Sequence, residues 1–395
     1  MKTLIFYIIM LIPCLVFIDC SGQNQEKKVN NTATGGDCDG CELMYIGMPE
    51  KIHSVDTSPG WNEKGQKLIV SGTVFQLDGK TPAADVIIYY WQTDRKGYYS
   101  PAKNMDSQTK RHGHIRGWVR TDAEGRYTIK TIRPAPYPGQ DLPAHIHLSI
   151  KEPDVTPEYY TDEINFDDDQ LLIPYLKKHP QENRGGSGVV RVLIKDSLQI
   201  AEHNIILGLH IPDYPKKMLK SVQSGLNIGE DQPSFTPFHA YGPDKGSRTC
   251  PVCKYGRYHG ILYFSGDNTD WAEIKKWLTF LDQESIKREN YLKVYFICKA
   301  GSSANQNKIL AQLGAGLGLK KTALCVVPSF SDRETEVYLN KINPEVKNTF
   351  VIYRHRNIVD KYIDLDPTAK NFELISKALD RTRGDYFELP AIPYQ

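Results

Sequence analysis

Apolar residues between Lys67 and Pro212 come in short, strand-like runs: KLIVSGTVFQL, ADVIIYYWQT, GWVRT, GRYTIKTI, AHIHLSI, GVVRVLI and HNIILGLHI. Turn-forming clusters such as DGKTP, DAEG and PAPYPG separate them. Strands at this spacing, with no helical period between them, predict an antiparallel β-sandwich over residues 67–212. Further on the texture changes. GILYFSG, LKVYFIC, TALCVVP and TFVIYRH read as compact apolar strands. Between and after them DWAEIKKWLTFLDQES, NQNKILAQLGAGLG, RETEVYLNKI and AKNFELISKALDRT carry helical patterns. Strands alternating with helices predict an α/β layer over residues 241–395. The expected fold class is therefore multidomain, β plus α/β, with a proline- and polar-rich bridge at 213–240.

A chain of 395 residues exceeds what one core usually supports, in keeping with two domains. The balance of 49 basic against 47 acidic residues marks out no polyanion partner, and no basic stripe suggests nucleic acid. Met1-Lys2-Thr3, an apolar run Leu4–Ile18 and the small or polar Cys20-Ser21-Gly22 have the layout of a signal peptide over residues 1–22. The run is short for a membrane span. Export to the periplasm or cell envelope is expected. Lipidation of Cys20 is the alternative fate of this leader, with Asp19 an unfavourable neighbour for that processing. Residues 23–66 follow as a polar tether and a CxxC-containing extension.

Six of the eight cysteines lie beyond the leader. Cys38/Cys41 and Cys250/Cys253 form CxxC pairs, expected as disulfides or redox-active dithiols in an oxidising compartment. The two pairs are too far apart for a usual zinc ribbon. Cys298 and Cys325 sit in apolar strands and read as core cysteines.

The densest chemistry lies in RPAPYPGQDLPAHIH, Arg133 to His147. His145 and His147 are two positions apart on a strand, so both imidazoles project from one face. Such a pair serves packing as readily as ligation. Tyr137, on a proline-bounded turn just upstream, adds a hard oxygen donor. Nitrogen with anionic oxygen and no thiolate suits an oxidised iron or a similarly hard ion. His112 and His114 form a second HxH in KRHGHIRG, whose glycine and basic residues predict an exposed loop with solvated side chains. His203 and His210 flank a strand and read as structural or surface residues.

Taken in order, VIIYYWQTDRKGYYSP, TDAEGRYTIKTIRP and YPGQDLPAHIH resemble the intradiol ring-cleavage dioxygenases, the catechol and protocatechuate enzymes. The resemblance covers roughly Leu68 to Pro212. It implies a mononuclear Fe(3+) held by Tyr99, Tyr137, His145 and His147, with an aromatic diol and O2 as substrates. Tyr98 adjoins the first ligand, and the spacing from Trp91 and Gly97 selects Tyr99. In the family's mechanism the diol displaces the tyrosine matching Tyr137, which then accepts a substrate proton. Ring cleavage between the two hydroxyl-bearing carbons yields a muconate-type diacid.

Two positions depart from the family pattern. Leu142 stands where the family usually has a charge-stabilising arginine, and losing one preorganised donor lowers rates by about 10²–10³. Arg133 and Arg116 are the candidates to replace it. Glu163, in TDEINFDDD, stands for an active-site glutamine, and its carboxylate disfavours acidic aromatics. The metal site thus reads as intact and the substrate pocket as altered. A metal-retaining sandwich without turnover is the alternative these changes leave open.

The C-terminal β-α-β run with its closing strand pair and helix resembles a thioredoxin-like fold. In redox-active thioredoxins the CxxC follows the strand at a helix N-terminus, whereas Cys250-Pro-Val-Cys253 precedes GILYFSG, so the acidifying helix dipole is expected to be missing. A structural disulfide or an interaction domain is the expectation here, with thiol–disulfide exchange as the alternative.

Overall fold

The computed structural model describes residues 34–36, 40–216, 222–268, 270–289, 291–301 and 305–384. Residues 1–22, on which the expected leader and Cys20 fall, and Cys38 lie outside the described residues. In the first half the strands are β1 (Val55–Thr57), β2 (Lys67–Phe75), β3 (Ile87–Gln92), β4 (Arg116–Arg120), β5 (Arg126–Ile132), β6 (His145–Lys151), β7 (Tyr159–Tyr160) and β8 (Ile164–Phe166). A short helix α1 (Leu172–Lys178) leads to β9 (Val189–Val190), β10 (Val192–Lys195), β11 (Leu198–Glu202) and β12 (Ile205–Ile206).

Two sheets form, in the orders β1-β5-β2-β11-β10 (β12 also on β2) and β4-β3-β6-β8-β9 (β7 also on β6). Their facing sides bury Leu68, Val70, Ile88, Tyr90, Ile129, Ile146, Leu148 and Ile150 in one core. The period of two explains it: Ile146, Leu148 and Ile150 point inward, which turns the residues between them outward.

The expected all-antiparallel pairing is corrected. β1 with β5, β11 and β12 with β2, and β8 with β9 are parallel. A parallel partner needs a long crossover; strands of the other sheet lie within the connections of β1 to β5 and of β2 to β11 and β12, and α1 lies within that of β8 to β9. Pairing across such distances leaves no local signature. Nor did periodicity reveal α1, whose Pro174 sits in the first turn, where its missing N–H does no harm.

β3 is buried on both faces. Ile88 and Tyr90 enter the sandwich core, while Tyr89 and Trp91 join Met44 on the opposite side. The extension upstream of β1 covers that outer face: the Trp118 indole donates to Met44 O at 2.7 Å and Arg116 donates to Ile46 O at 2.8 Å. Cys41, in this extension, is buried and disulfide-bonded.

The second half comprises β13 (Phe238–Tyr241), α2 (Pro251–Tyr255), β14 (His259–Ser265), α3 (Trp271–Lys287), β15 (Leu292–Lys299), α4 (Gln306–Gly316), β16 (Ala323–Val327), β17 (Asn348–Arg354), β18 (Asn357–Ile363) and α5 (Ala369–Arg381). The sheet order is β13-β16-β15-β14-β17-β18, with β14, β15 and β16 parallel and the β17–β18 hairpin antiparallel to β14. Cys298 and Cys325 are buried and unbridged.

Two expectations fail in this half. RETEVYLNKI forms only a 3₁₀ turn at Val337–Asn340, because Glu336 and Lys341 on either side adopt left-handed backbone, which breaks an α-helix. Cys250 and Cys253 are bridged, and the pair does sit at a helix start. Cys250 caps α2, its sulfur accepting from the Cys253 N–H at 3.0 Å, although α2 is only five residues long. The bridge region is packed rather than loose where described. Phe235 is fully buried, and Gly229 and Gln232 N–H groups donate to Ile358 and Arg356 carbonyls.

Candidate metal centre

The outward face of β6 carries His145 and His147. Across the sheet, Trp91 of β3 is the register partner of His147, and its ring lies 4.8 Å from that imidazole at an interplanar angle of 12°. On the other side of Trp91, His112 stacks at 4.1 Å and 7°. His112 is buried, with Nδ1 2.9 Å from the Tyr89 hydroxyl, which also accepts from Arg116 at 3.0 Å. His114 binds Ser100 O at 2.6 Å and Glu63 at 2.5 Å. Neither is a solvated loop histidine as its neighbours suggested. The covering extension and the long-range partner Glu63 account for the difference.

Two loops bring the phenols in. Asp94 organises the first by accepting from the N–H groups of Lys96 (2.8 Å) and Tyr98 (3.2 Å) and from Ser100 Oγ (2.7 Å). Tyr98 points to solvent, 55% exposed, whereas Tyr99 turns inward. The second loop, with prolines at 134, 136, 138 and 143, presents Tyr137. Gly97 has φ +83°, and a Cβ there would lie 2.0 Å from Pro136 O, so the close approach of the two loops requires glycine.

Four side-chain atoms meet. Tyr99 Oη lies 2.6 Å from Tyr137 Oη and 2.8 Å from His147 Nε2; His145 Nε2 lies 3.2 Å from Tyr137 Oη and 3.1 Å from His147 Nε2. His145 Nδ1 is 2.8 Å from Pro143 O, and His147 Nδ1 is 3.5 Å from Glu163 Oε1. The Pro143 carbonyl can only accept, so His145 Nδ1 carries the proton, and the nearby Glu163 carboxylate favours the same tautomer of His147; each ring then turns a bare Nε2 inward. Two phenol protons then serve at most two of the four contacts in this ring. A cation among the four atoms would take a lone pair from each of them, and spacings near 3 Å are of the order that donors adopt around a shared metal with bonds of about 2.0–2.2 Å. The residues fit a hard, oxidised metal ion with nitrogen and oxygen ligands. Among the described residues no group of three or more His, Cys, Asp or Glu is arranged to hold a metal, so the phenols are essential to this candidate.

The electrostatics agree. Burial, then the neighbouring His147, push the His145 imidazole down to about 4, which leaves it neutral. Burial raises the Tyr99 phenol, and its hydrogen bond with Tyr137 raises it further. Burial also raises Tyr137, against a lowering hydrogen bond from Tyr99. For Glu163 burial favours the acid, but the hydrogen-bonding contact with His147 and the local field of the two imidazoles outweigh it and pull the carboxyl down to about 2. The Glu163 side chain is 47% exposed, which places a carboxylate at the open side of the cluster.

Arg133 is not among the groups touching this cluster. It pairs with Asp168 at 2.7 Å, bonds Gln199 at 3.3 Å and lies 3.7 Å over the Phe166 ring. Arg116 is turned toward Tyr89 and the N-terminal extension. Leu142 is half-buried and brings no charge. Sequence reading missed Trp91, His112 and Asp94 as supports, and Asp169, which holds the strand entry by accepting from Ala144 N–H at 2.7 Å. The W-to-GYY spacing was the available signal for Trp91.

Residues 47–184 match the family described as "Dioxygenase". The catechol 1,2-dioxygenase of Acinetobacter baylyi is 32% identical over 125 residues, 27% of this chain and 39% of that protein. The protocatechuate 3,4-dioxygenase beta chain of Burkholderia cepacia is 33% identical over 92 residues, 22% of this chain and 39% of that one. The chain thus spans well under half the length of these curated relatives. Among solved structures, the dioxygenase domain of a carbohydrate-binding fusion protein from Streptomyces sp. SirexAA-E aligns at TM-score 0.30 and 24% identity, over 40% of this chain and 87% of that one. The family match contains Tyr99, Tyr137, His145, His147 and Glu163, and over that stretch the chain is similar to the dioxygenases.

Proposed function

We propose that residues 67–212 form an exported intradiol dioxygenase that opens a catecholic ring between its two hydroxyl-bearing carbons with O2. Tyr99, Tyr137, His145 and His147 would hold Fe(3+). The observation that carries this reading is the ring of four donor atoms that two phenol protons cannot satisfy. When bound, ferric iron supplies Lewis acidity toward the diol oxygens and draws electron density from the ring.

The chain's own groups do the rest. By the family resemblance, the Tyr137 oxygen would be the one to leave and accept a diol proton. Pro143 O and Glu163 fix the two imidazole tautomers, a role that outer partners of metal ligands commonly play. The Glu163 carboxylate at the open side repels acidic diols and favours uncharged ones. Export rests on the leader-like residues 1–22.

One observation favours a second reading. With Leu142 in place of an arginine, and Arg133 and Arg116 committed elsewhere, the sandwich would bind iron and diol without turnover. For the second half, three parallel strands followed by an antiparallel hairpin and helix support a thioredoxin-like domain with a structural CPVC disulfide.

The test is metal content, visible spectrum and oxygen uptake across a panel of catechols, for wild type and Tyr137→Phe. The dioxygenase reading expects iron, a red-brown phenolate band that catechols perturb, and uptake lost in the variant. Iron and colour without uptake on any diol selects the binding module, and a colourless, iron-free protein defeats both.

A further inference from the structure

A cavity of about 380 Å³ lies where the first sheet of the sandwich faces the β17–β18 hairpin and the end of α5, lined by none of the four cluster residues. Its size is that of small-ligand sites, which recur at junctions of this kind. Part of the lining is apolar, including Phe75, Leu193, Ile206, Ile228 and Ile358. The charged lining is unbalanced: Lys80, Arg126, Arg191, Arg354 and Arg381 against Glu124 and Glu202.

These cations differ in how firmly they are held. Lys80 and Arg381 share the fully buried Asp360, and Arg126 pairs with Asp122 and Glu124 at 3.0 and 2.9 Å. Arg354 is nine-tenths buried, and its ion pair with Glu202 is long, at 3.4 Å. The chain passes so near that a Cβ at Gly384 would lie 1.4 Å from Arg354 Nη1. Its field reaches the buried His259, which burial and then Arg354, Arg288 and Arg383 push down to about 3.

Three polar groups at the cavity keep an atom without a protein partner among the described residues. His203 is buried; the Tyr127 hydroxyl donates to its carbonyl at 2.8 Å and lies 3.0 Å from its Nδ1. The phenol proton is thereby used, so Nδ1–H donates to the phenol and Nε2 is left as a bare acceptor. Asn357 Oδ1 is a second acceptor, buried and unbonded. Asn204 Oδ1 accepts from Thr73 N–H at 2.9 Å, which leaves its amide N–H₂ to donate. Buried polar atoms are normally satisfied, so Asn357 Oδ1 calls for a partner, and the His203 Nε2 and Asn204 amide at the same cavity offer a further acceptor and a donor to one ligand.

We propose that this cavity binds a small hydroxy carboxylic acid. The carboxylate meets Arg354 and the Asn204 amide, a hydroxyl donates to His203 Nε2 or Asn357 Oδ1, and the carbon skeleton covers the apolar lining. An inorganic anion would leave that apolar lining unused. This inference stands apart from the dioxygenase reading and survives its failure.

The test is calorimetric titration of the full chain with 4-hydroxybenzoate, benzoate, 4-hydroxybenzamide and inorganic phosphate. 4-Hydroxybenzoate is expected to bind at least tenfold more tightly than the other three, each of which lacks one recognised feature. Asn357→Asp is nearly isosteric and puts a negative charge at the open acceptor, so it should weaken binding at least tenfold, as should Arg354→Gln. Tyr137→Phe should leave it unchanged. No saturation with any probe, equal binding of phosphate, an unaffected Asn357→Asp, or loss of binding in Tyr137→Phe would each overturn the proposal.

Discussion

The hydroxyls of Tyr99 and Tyr137 lie 2.6 Å apart although 38 residues separate them in the chain. Their loops meet at Gly97, whose missing side chain lets the Pro136 carbonyl approach and whose φ of +83° an L side chain rarely adopts. Gly97→Ala should separate the phenols. Both strain and clash oppose the native loop, so a loss of about 2 kcal/mol or more is expected. Thermal melting of the variant, with iron content measured alongside, checks this; a variant that melts and binds iron like wild type removes Gly97 from the account.

Tyr137→Phe deletes one oxygen and little else. Its hydroxyl is half-buried, so the fold should lose no more than about 1 kcal/mol. The long-wavelength colour of the iron-loaded protein should weaken and oxygen uptake should fall by about a hundredfold, the scale of lost general-base catalysis. The exposed Tyr98 is the natural control. If Tyr98→Phe shows the larger effect on colour and rate, the ligand assignment belongs one residue upstream.

Glu163→Gln probes charge at the open side of the cluster. The carboxylate is held ionised by His147 and His145, so it repels acidic substrates at neutral pH. Removing the charge should improve kcat/KM for a carboxylated catechol relative to catechol itself by roughly tenfold, a difference of about 1.4 kcal/mol. The amide oxygen can still accept from His147 Nδ1, so metal binding should persist. An unchanged ratio of the two substrates would mean that Glu163 serves His147 alone.

Local rules made the strands and the histidine spacing legible, because a period of two and a proline-bounded turn are written in adjacent residues. What escaped depends on distant segments. His112 reads as a solvated loop residue from KRHGHIRG, yet the segment around Met44 covers its neighbourhood and Trp91 lies against it. Arg133 reads as a site residue from its place beside the YPG turn, yet Asp168 takes its guanidinium at 2.7 Å. The parallel partner of β2 lies more than a hundred residues away, beyond the range of any turn signal. RETEVYLNKI has a helical pattern but is interrupted by the left-handed Glu336, which only the tertiary contacts select.

The stack His112–Trp91–His147 sets the His147 ring from behind at the proposed metal site. Trp91 is 8% exposed and flanked by both imidazoles within 5 Å. Trp91→Leu should cost about 2–4 kcal/mol in stability through the volume it vacates. It should also weaken iron binding by about ten- to a hundredfold, as losses around first ligands do. Trp91→Phe, which keeps a flat ring beside His147, should restore most of the affinity. A Phe variant as weak as the Leu variant would assign Trp91 to packing alone.

Buried histidines set the acid limit of the fold. His203, inside the sandwich, is pushed down to about 4 by burial, while an unfolded histidine titrates near 6.5. Between those values the unfolded chain holds a proton that the folded chain refuses. Stability is therefore full above about pH 6.5 and declines as pH falls toward 4. His259, pushed down to about 3, acts in the same direction over a wider window. Glu163, held to about 2, contributes stability that is lost only below the ordinary carboxylate range, so it leaves this window unaffected. Melting temperatures of the metal-free protein should thus drop steadily from pH 7 to pH 4.5. His203→Gln, which cannot take up a proton in either state, should lower stability at pH 7 but flatten that decline. A variant whose melting curve falls as steeply as wild type would show that the acid sensitivity arises elsewhere.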